Sequence, residues 1–103
     1  MKSNEITHND LIEFIKTNKK YLCNKFHLVK IGVFGSFARK EQTAYSDIDL
    51  IVELEENTQN IYEIKIELRN YFKKHLNKDI DIAREKYLKP RVKAEILRDV
   101  LYV

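Results

Sequence analysis

This chain of 103 residues has a single cysteine, Cys23. One thiol excludes an internal disulfide and fits a reducing compartment. Beside Leu22 in an apolar stretch it reads as a small buried hydrophobe. No apolar run approaches the length needed to span a bilayer. The first residues, Met1-Lys2-Ser3-Asn4-Glu5, lack the apolar segment of a secretion signal, so a cytoplasmic location is expected. Clustered metal-binding side chains are absent too: His8, His27 and His75 fall on different elements, which argues against zinc. An excess of one charge is also missing. The 19 basic and 16 acidic residues leave a net charge of +3 and are mostly intermixed. Lys16, Lys19 and Lys20, or Lys73 and Lys74, read as solvated helix faces, and direct nucleic-acid binding is not indicated. There is no repeat, low-complexity tract or linker. A hydrophobic content of 44% is too high for disorder, and the length suits one small domain, residues 1–103, with a modest core.

What is present is an ordered series of periodic segments. Thr7 with Asp10 three residues on predicts a capped helix start, and Ile6 with Leu11 a hydrophobic staple. Leu11, Ile12, Phe14 and Ile15 give that helix an apolar face, running to about Lys20. Val29–Phe34 reads as a strand. A second strand is expected over Asp47–Leu54, with Ile48, Leu50, Val52 and Leu54 on one face and Asp47, Asp49 and Glu53 on the other, Ile51 among them. Ile61, Ile64, Leu68, Tyr71, Phe72 and Leu76 place a long helix over about Thr58–Leu76. A third strand repeats the split, Ile80 and Ile82 against Asp79 and Asp81. Pro90, the only proline, suits the first turn of a last helix whose inner side is Val92, Ile96, Leu97 and Val100. Strands with one apolar and one acidic face predict an α/β (α+β) fold: a small mixed sheet with helices packed on one face and a charged cleft on the other.

The chemistry concentrates between the first two strands. Gly35 ends the first strand and permits close backbone approach to a ligand. Ser36 opens a short helix, whose free N–H groups and positive dipole end suit a phosphate. Ten residues later, Asp47 and Asp49 point the same way from one strand. Carboxylates so placed repel unless something compensates, and a shared divalent cation does so. Asp81 on the neighbouring strand adds a third, with Asp79 as its rival. Arg39 suits either triphosphate oxygens or a surface salt bridge. A phosphate cradle next to paired carboxylates reads as metal-dependent chemistry on a nucleoside triphosphate.

At these residues the chain resembles the minimal nucleotidyltransferases of the polymerase-beta-like superfamily. Gly35-Ser36, ten residues, Asp47-Ile48-Asp49, and a later strand carrying Asp81 reproduce the family signature, together with Ala38-Arg39 after the Gly-Ser and Ser46 before the first Asp. Lys40 stands where many relatives have Gly. The resemblance spans roughly Leu11 to the C-terminus. It implies the polymerase-beta-like nucleotidyltransferase fold, a two-metal magnesium site on Asp47, Asp49 and Asp81, and ATP as substrate held by Gly35, Ser36 and Arg39. Asp81 would also activate the incoming hydroxyl. Such small enzymes lack the extra helical domain that holds an acceptor in larger relatives. The implied partner is a helical HEPN-type toxin, a ribonuclease, which the nucleotidyltransferase neutralises as an antitoxin by transferring AMP to a tyrosine. The alternatives are a binding-only antitoxin or assembly subunit, and a transferase acting on a small hydroxylated acceptor.

Overall fold

Thr7 starts the first helix through a reciprocal capping box. Its Oγ1 accepts from the Asp10 N–H at 3.0 Å, and the Asp10 carboxylate accepts from the Thr7 N–H at 2.9 Å. In the computed structural model, which describes residues 5–103, this helix, α1, spans His8–Phe26. It runs a turn and a half past the expected end at Lys20 because the buried stripe of Leu11 and Ile15 continues at helical spacing through Leu22 and Phe26. His27 then takes the left-handed conformation (φ 59°) and returns its N–H to the Cys23 carbonyl. Cys23 is only half-buried at the edge of the core.

The remaining elements are β1 Leu28–Phe34, α2 Gly35–Ala38, β2 Ile48–Leu54, α3 Ile61–Leu76, β3 Ile80–Arg84, a 3-10 turn Glu85–Tyr87, α4 Pro90–Asp99 and β4 Leu101–Tyr102. α3 starts three residues later than its apolar spacing predicts. Thr58 spends both its N–H and its hydroxyl on the Glu55 carbonyl, closing a turn, and Asn57 and Asn60 sit in the left-handed region. The sheet order is β3-β2-β1-β4. β1 runs antiparallel to β2 and β4, while β2 and β3 are parallel, so α3 serves as their crossover. Leu11, Ile15, Leu22 and Phe26 of α1 and Leu68 and Phe72 of α3 form one buried cluster with the apolar faces of β1, β2 and β3. Phe14 packs edge-on against Phe72, ring centroids 5.3 Å apart. The mixed sheet and the helical layer of α1 and α3 agree with the expected fold. No helix of the described residues is long and apolar enough to cross a membrane.

On the other face the packing is thinner. β4 has no periodic signal in a segment this short, yet the Val103 N–H donates to the Ile31 carbonyl at 2.9 Å and Tyr102 pairs with Gly32. A Cβ on Gly32 would lie 2.9 Å from the Tyr102 ring and 3.1 Å from a Val100 methyl, so the bare backbone is what lets the ring settle on β1. α4 follows this side of β1 without burying any residue fully. Its expected inner face is only partly covered: Val92 is 44% exposed, and Val100 has already left the helix as its C-cap. Ion pairs tie α4 down instead, Lys93 to Glu85 at 3.9 Å and Asp99 to Arg39 at 3.6 Å.

Lys40 keeps the turn that a glycine would make. Its φ is +62°, the left-handed region that costs a residue with a Cβ about 1 kcal/mol or more. Lys40→Gly is therefore expected to raise the thermal unfolding midpoint by roughly 4 °C in a domain of this size. A midpoint that stays put or falls in calorimetry would show that strain at Lys40 is not limiting.

Candidate active site

Asp49 stands directly across the parallel ladder from Asp81. On neighbouring strands in the same register, both carboxylates leave the same face of the sheet. On its other side Asp49 pairs with Phe34, the last residue of β1, so the chain turns into α2 immediately beside it. Gly35 makes that turn at φ +75°, and a Cβ there would come within 2.2 Å of Asp49 Oδ2. The carboxylate thus lies against bare backbone. Asp47, exposed, immediately precedes β2. Burial, then repulsion from Asp81 and Asp47, pushes the Asp49 carboxyl up to about 6, with Arg39 pulling the other way. Asp81 and Asp47 are close enough to disfavour the charge of Asp49. The three acids do not by themselves close around an ion: among the described residues no three acidic, histidine or cysteine groups are gathered at liganding distance.

The other expected residues are placed as follows. Asp79 and Asp81 differ in their partners. Asp79 lies before β3 and its carboxylate takes an ion pair from Lys73 of α3 at 2.9 Å, while its carbonyl accepts from the Ile48 N–H at 3.0 Å. Ser36 sits half-buried in α2, a single turn anchored by the fully buried Phe37. Arg39 engages Glu41 at 2.9 Å and Asp99 at 3.6 Å, and the Glu41 hydrogen bond is the main influence holding the guanidinium above its ordinary value. The salt bridge of the two alternatives is thus made in the free protein. Arg39 remains near enough to bias Asp49.

Ser46, part of the motif, and Lys78, which did not stand out in the sequence, brace the site. Ser46 Oγ accepts from the Thr43 N–H at 2.9 Å, and the Ser46 N–H returns to the Thr43 carbonyl at 3.1 Å. This closed turn delivers Asp47 to the start of β2. Lys78 Nζ donates to the Ala44 carbonyl at 2.7 Å, fastening the same turn to the approach of β3. Such a tie joins residues 34 positions apart, so no local pattern announces it. An open polar cavity of about 440 Å³ between the end of α1 and the start of α3, lined by Lys25, His27, Asn60, Glu63 and Glu67 among others, contains none of the acids described above.

Asp49 and Asp81 thus stand in register on one sheet beside the tight turn at Gly35. Residues 15–103 match the family described as nucleotidyltransferase domain, and the chain belongs to it: this protein is a nucleotidyltransferase. A Methanocaldococcus jannaschii protein named "Putative protein adenylyltransferase" is 38% identical over 98 residues, covering 94% of this chain and 98% of its own length. "Protein adenylyltransferase MntA" of Thermococcus cleftensis is 33% identical over 98 residues, covering 95% and 97%. Among solved structures, one described as "Structure of putative minimal nucleotidyltransferase" superposes with a TM-score of 0.80 at 28% identity, covering 96% of this chain and 98% of that one. A tri-AMPylated Shewanella oneidensis HEPN toxin in complex with MNT antitoxin gives a TM-score of 0.60 at 18% identity, covering 87% and 69%. That last likeness is one of fold.

Proposed function

We propose that this chain is a magnesium-dependent protein adenylyltransferase that transfers AMP from ATP to a tyrosine hydroxyl of a HEPN-type helical partner, and so acts as its antitoxin in the cytoplasm. The carrying observation is the in-register Asp49–Asp81 pair with the bare backbone of Gly35 against the Asp49 carboxylate. The names of the relatives support the choice of AMP and of a protein acceptor. A protein of the same fold paired with an AMPylated HEPN toxin supports the class of partner.

The residues fit magnesium. Asp47, Asp49 and Asp81 are hard oxygen donors whose mutual repulsion a divalent cation would relieve. Magnesium completes its shell with water and phosphate oxygens, so a finished protein cage is not needed. When bound, it would stabilise charge on the attacking and leaving oxygens. The chain's own groups do the rest. Backbone N–H groups of the Gly35-Ser36 turn hold the outer phosphates, and Arg39 leaves Glu41 and Asp99 to meet them. Asp81 takes the proton of the acceptor hydroxyl as its oxygen bonds to the α-phosphorus. The bond from the α-phosphorus to the bridging oxygen breaks, and pyrophosphate departs. Positioning accounts for most of the rate in such transfers.

Coexpression with the partner, followed by intact-mass spectrometry, tests the whole reading. The partner should gain one or more AMP units, and none with Asp47→Asn. A partner that is neutralised without gaining mass, equally well by Asp47→Asn, would establish the binding-only antitoxin instead. The two strand-three acids should also separate. Asp81→Asn is expected to abolish transfer, whereas Asp79→Asn, which loses only an exposed ion pair to Lys73, should change it less than about threefold. Loss of transfer in Asp79→Asn with retention in Asp81→Asn would reverse the assignment.

A further inference from the structure

The imidazole of His8, the first residue of α1, meets the carbonyl of Phe37 with its Nδ1 at 2.6 Å. A carbonyl oxygen only accepts, so Nδ1 carries the proton and donates. The contact is partly buried and joins residues 29 positions apart. Phe37 itself is fully buried and lies in the single turn of α2, one residue after Ser36. A one-turn helix has too few internal hydrogen bonds to hold its own shape. Here the Arg39 N–H returns to the Gly35 carbonyl at 3.1 Å and the Glu41 N–H to the Ser36 carbonyl at 2.8 Å. The Phe37 carbonyl also accepts from the Lys40 N–H at 3.3 Å. Among these bonds, that from His8 reaches the turn from another element of the fold.

We infer that His8 is a positioning residue for the nucleotide: its Nδ1–H fixes the Phe37 carbonyl, and with it the peptide groups of Gly35 and Ser36 that receive the triphosphate. The inference rests on the proposed reading that this turn holds the phosphates. The side chain of His8 touches the turn and not the reacting atoms, so its loss weakens ground and transition states alike and appears in KM with kcat preserved. Asparagine is the conservative replacement, since its amide N–H can occupy nearly the place of Nδ1.

Calorimetric binding of ATP with magnesium, together with KM, kcat and thermal midpoint, should be measured for the whole chain and for His8→Leu and His8→Asn. Loss of one hydrogen bond predicts about fivefold to tenfold weaker ATP binding in His8→Leu, with kcat within about twofold and near-normal binding in His8→Asn. His8→Leu binding ATP as tightly as the unaltered protein overturns the inference. So does a fall in thermal midpoint and kcat in both variants at unchanged ATP affinity, which is the pattern of a purely structural contact. If the unaltered protein itself binds no ATP with magnesium, the proposed function fails and the inference fails with it.

Discussion

Asp49→Asn should lose at least about a thousandfold in AMP transfer, on the order of 4 kcal/mol of transition-state stabilisation, the scale for removing one preorganised electrostatic group. Asparagine keeps the shape and removes the charge, so fold and nucleotide turn should survive. The same substitution should stabilise the metal-free protein at neutral pH. Burial and the neighbouring Asp81 and Asp47 raise the folded-state value of Asp49 to about 6 from 3.8. The folded chain therefore holds the proton more tightly than the unfolded one. That contribution to stability is fully present below about pH 4 and is lost as pH rises through about 6. Above this window the ionised Asp49 is a net cost, on the order of 1 kcal/mol once solvent screening is allowed for. Thermal midpoints measured without divalent ions should fall between pH 4 and 6 in the original protein and fall less in Asp49→Asn. An active Asp49→Asn enzyme, measured by mass gain of the acceptor, would remove Asp49 from the catalytic set. An unchanged pH profile of the midpoint would show that Asp49 does not sense its burial or the two neighbouring acids.

Gly35→Ala is expected to be the most damaging single-methyl change in the chain for activity. The new Cβ would sit 2.2 Å from Asp49 Oδ2 and 3.1 Å from its carboxyl carbon, and the backbone there is left-handed at φ +75°. Strain alone costs about 1–2 kcal/mol. The overlap is with the end of a side chain, which can swing away, so the fold should persist at a lowered thermal midpoint. What swings away is the carboxylate that the proposed reaction needs. A displacement of about 1 Å at a reacting centre costs roughly a hundredfold, and the loss should appear in kcat at saturating ATP. A folded Gly35→Ala protein with full kcat would show that Asp49 works from a different rotamer than the one seen here.

Local chemistry made much of this protein readable from its residues in order. The Thr7–Asp10 capping box needs only a four-residue window. The apolar face of Ile48, Leu50, Val52 and Leu54 on β2 follows from the two-residue repeat of a strand. The spacing from Gly35-Ser36 to Asp47 was legible because the connection is short and both ends are tied to strands. By contrast, the extent of α1 depended on whether Leu22 and Phe26 found a buried partner, which the packing against α3 and the sheet supplies. β4 is two residues long and exists only because Gly32 leaves room for Tyr102. Asp79 and Asp81 look alike by alternation, and only folding hands one to Lys73 and sets the other in register with Asp49. The reach of Lys78 to Ala44 and that of His8 to Phe37 belong to the same class. Each joins groups far apart in the chain, and short-range pattern carries no information about such contacts until the core has closed and brought them within hydrogen-bonding distance.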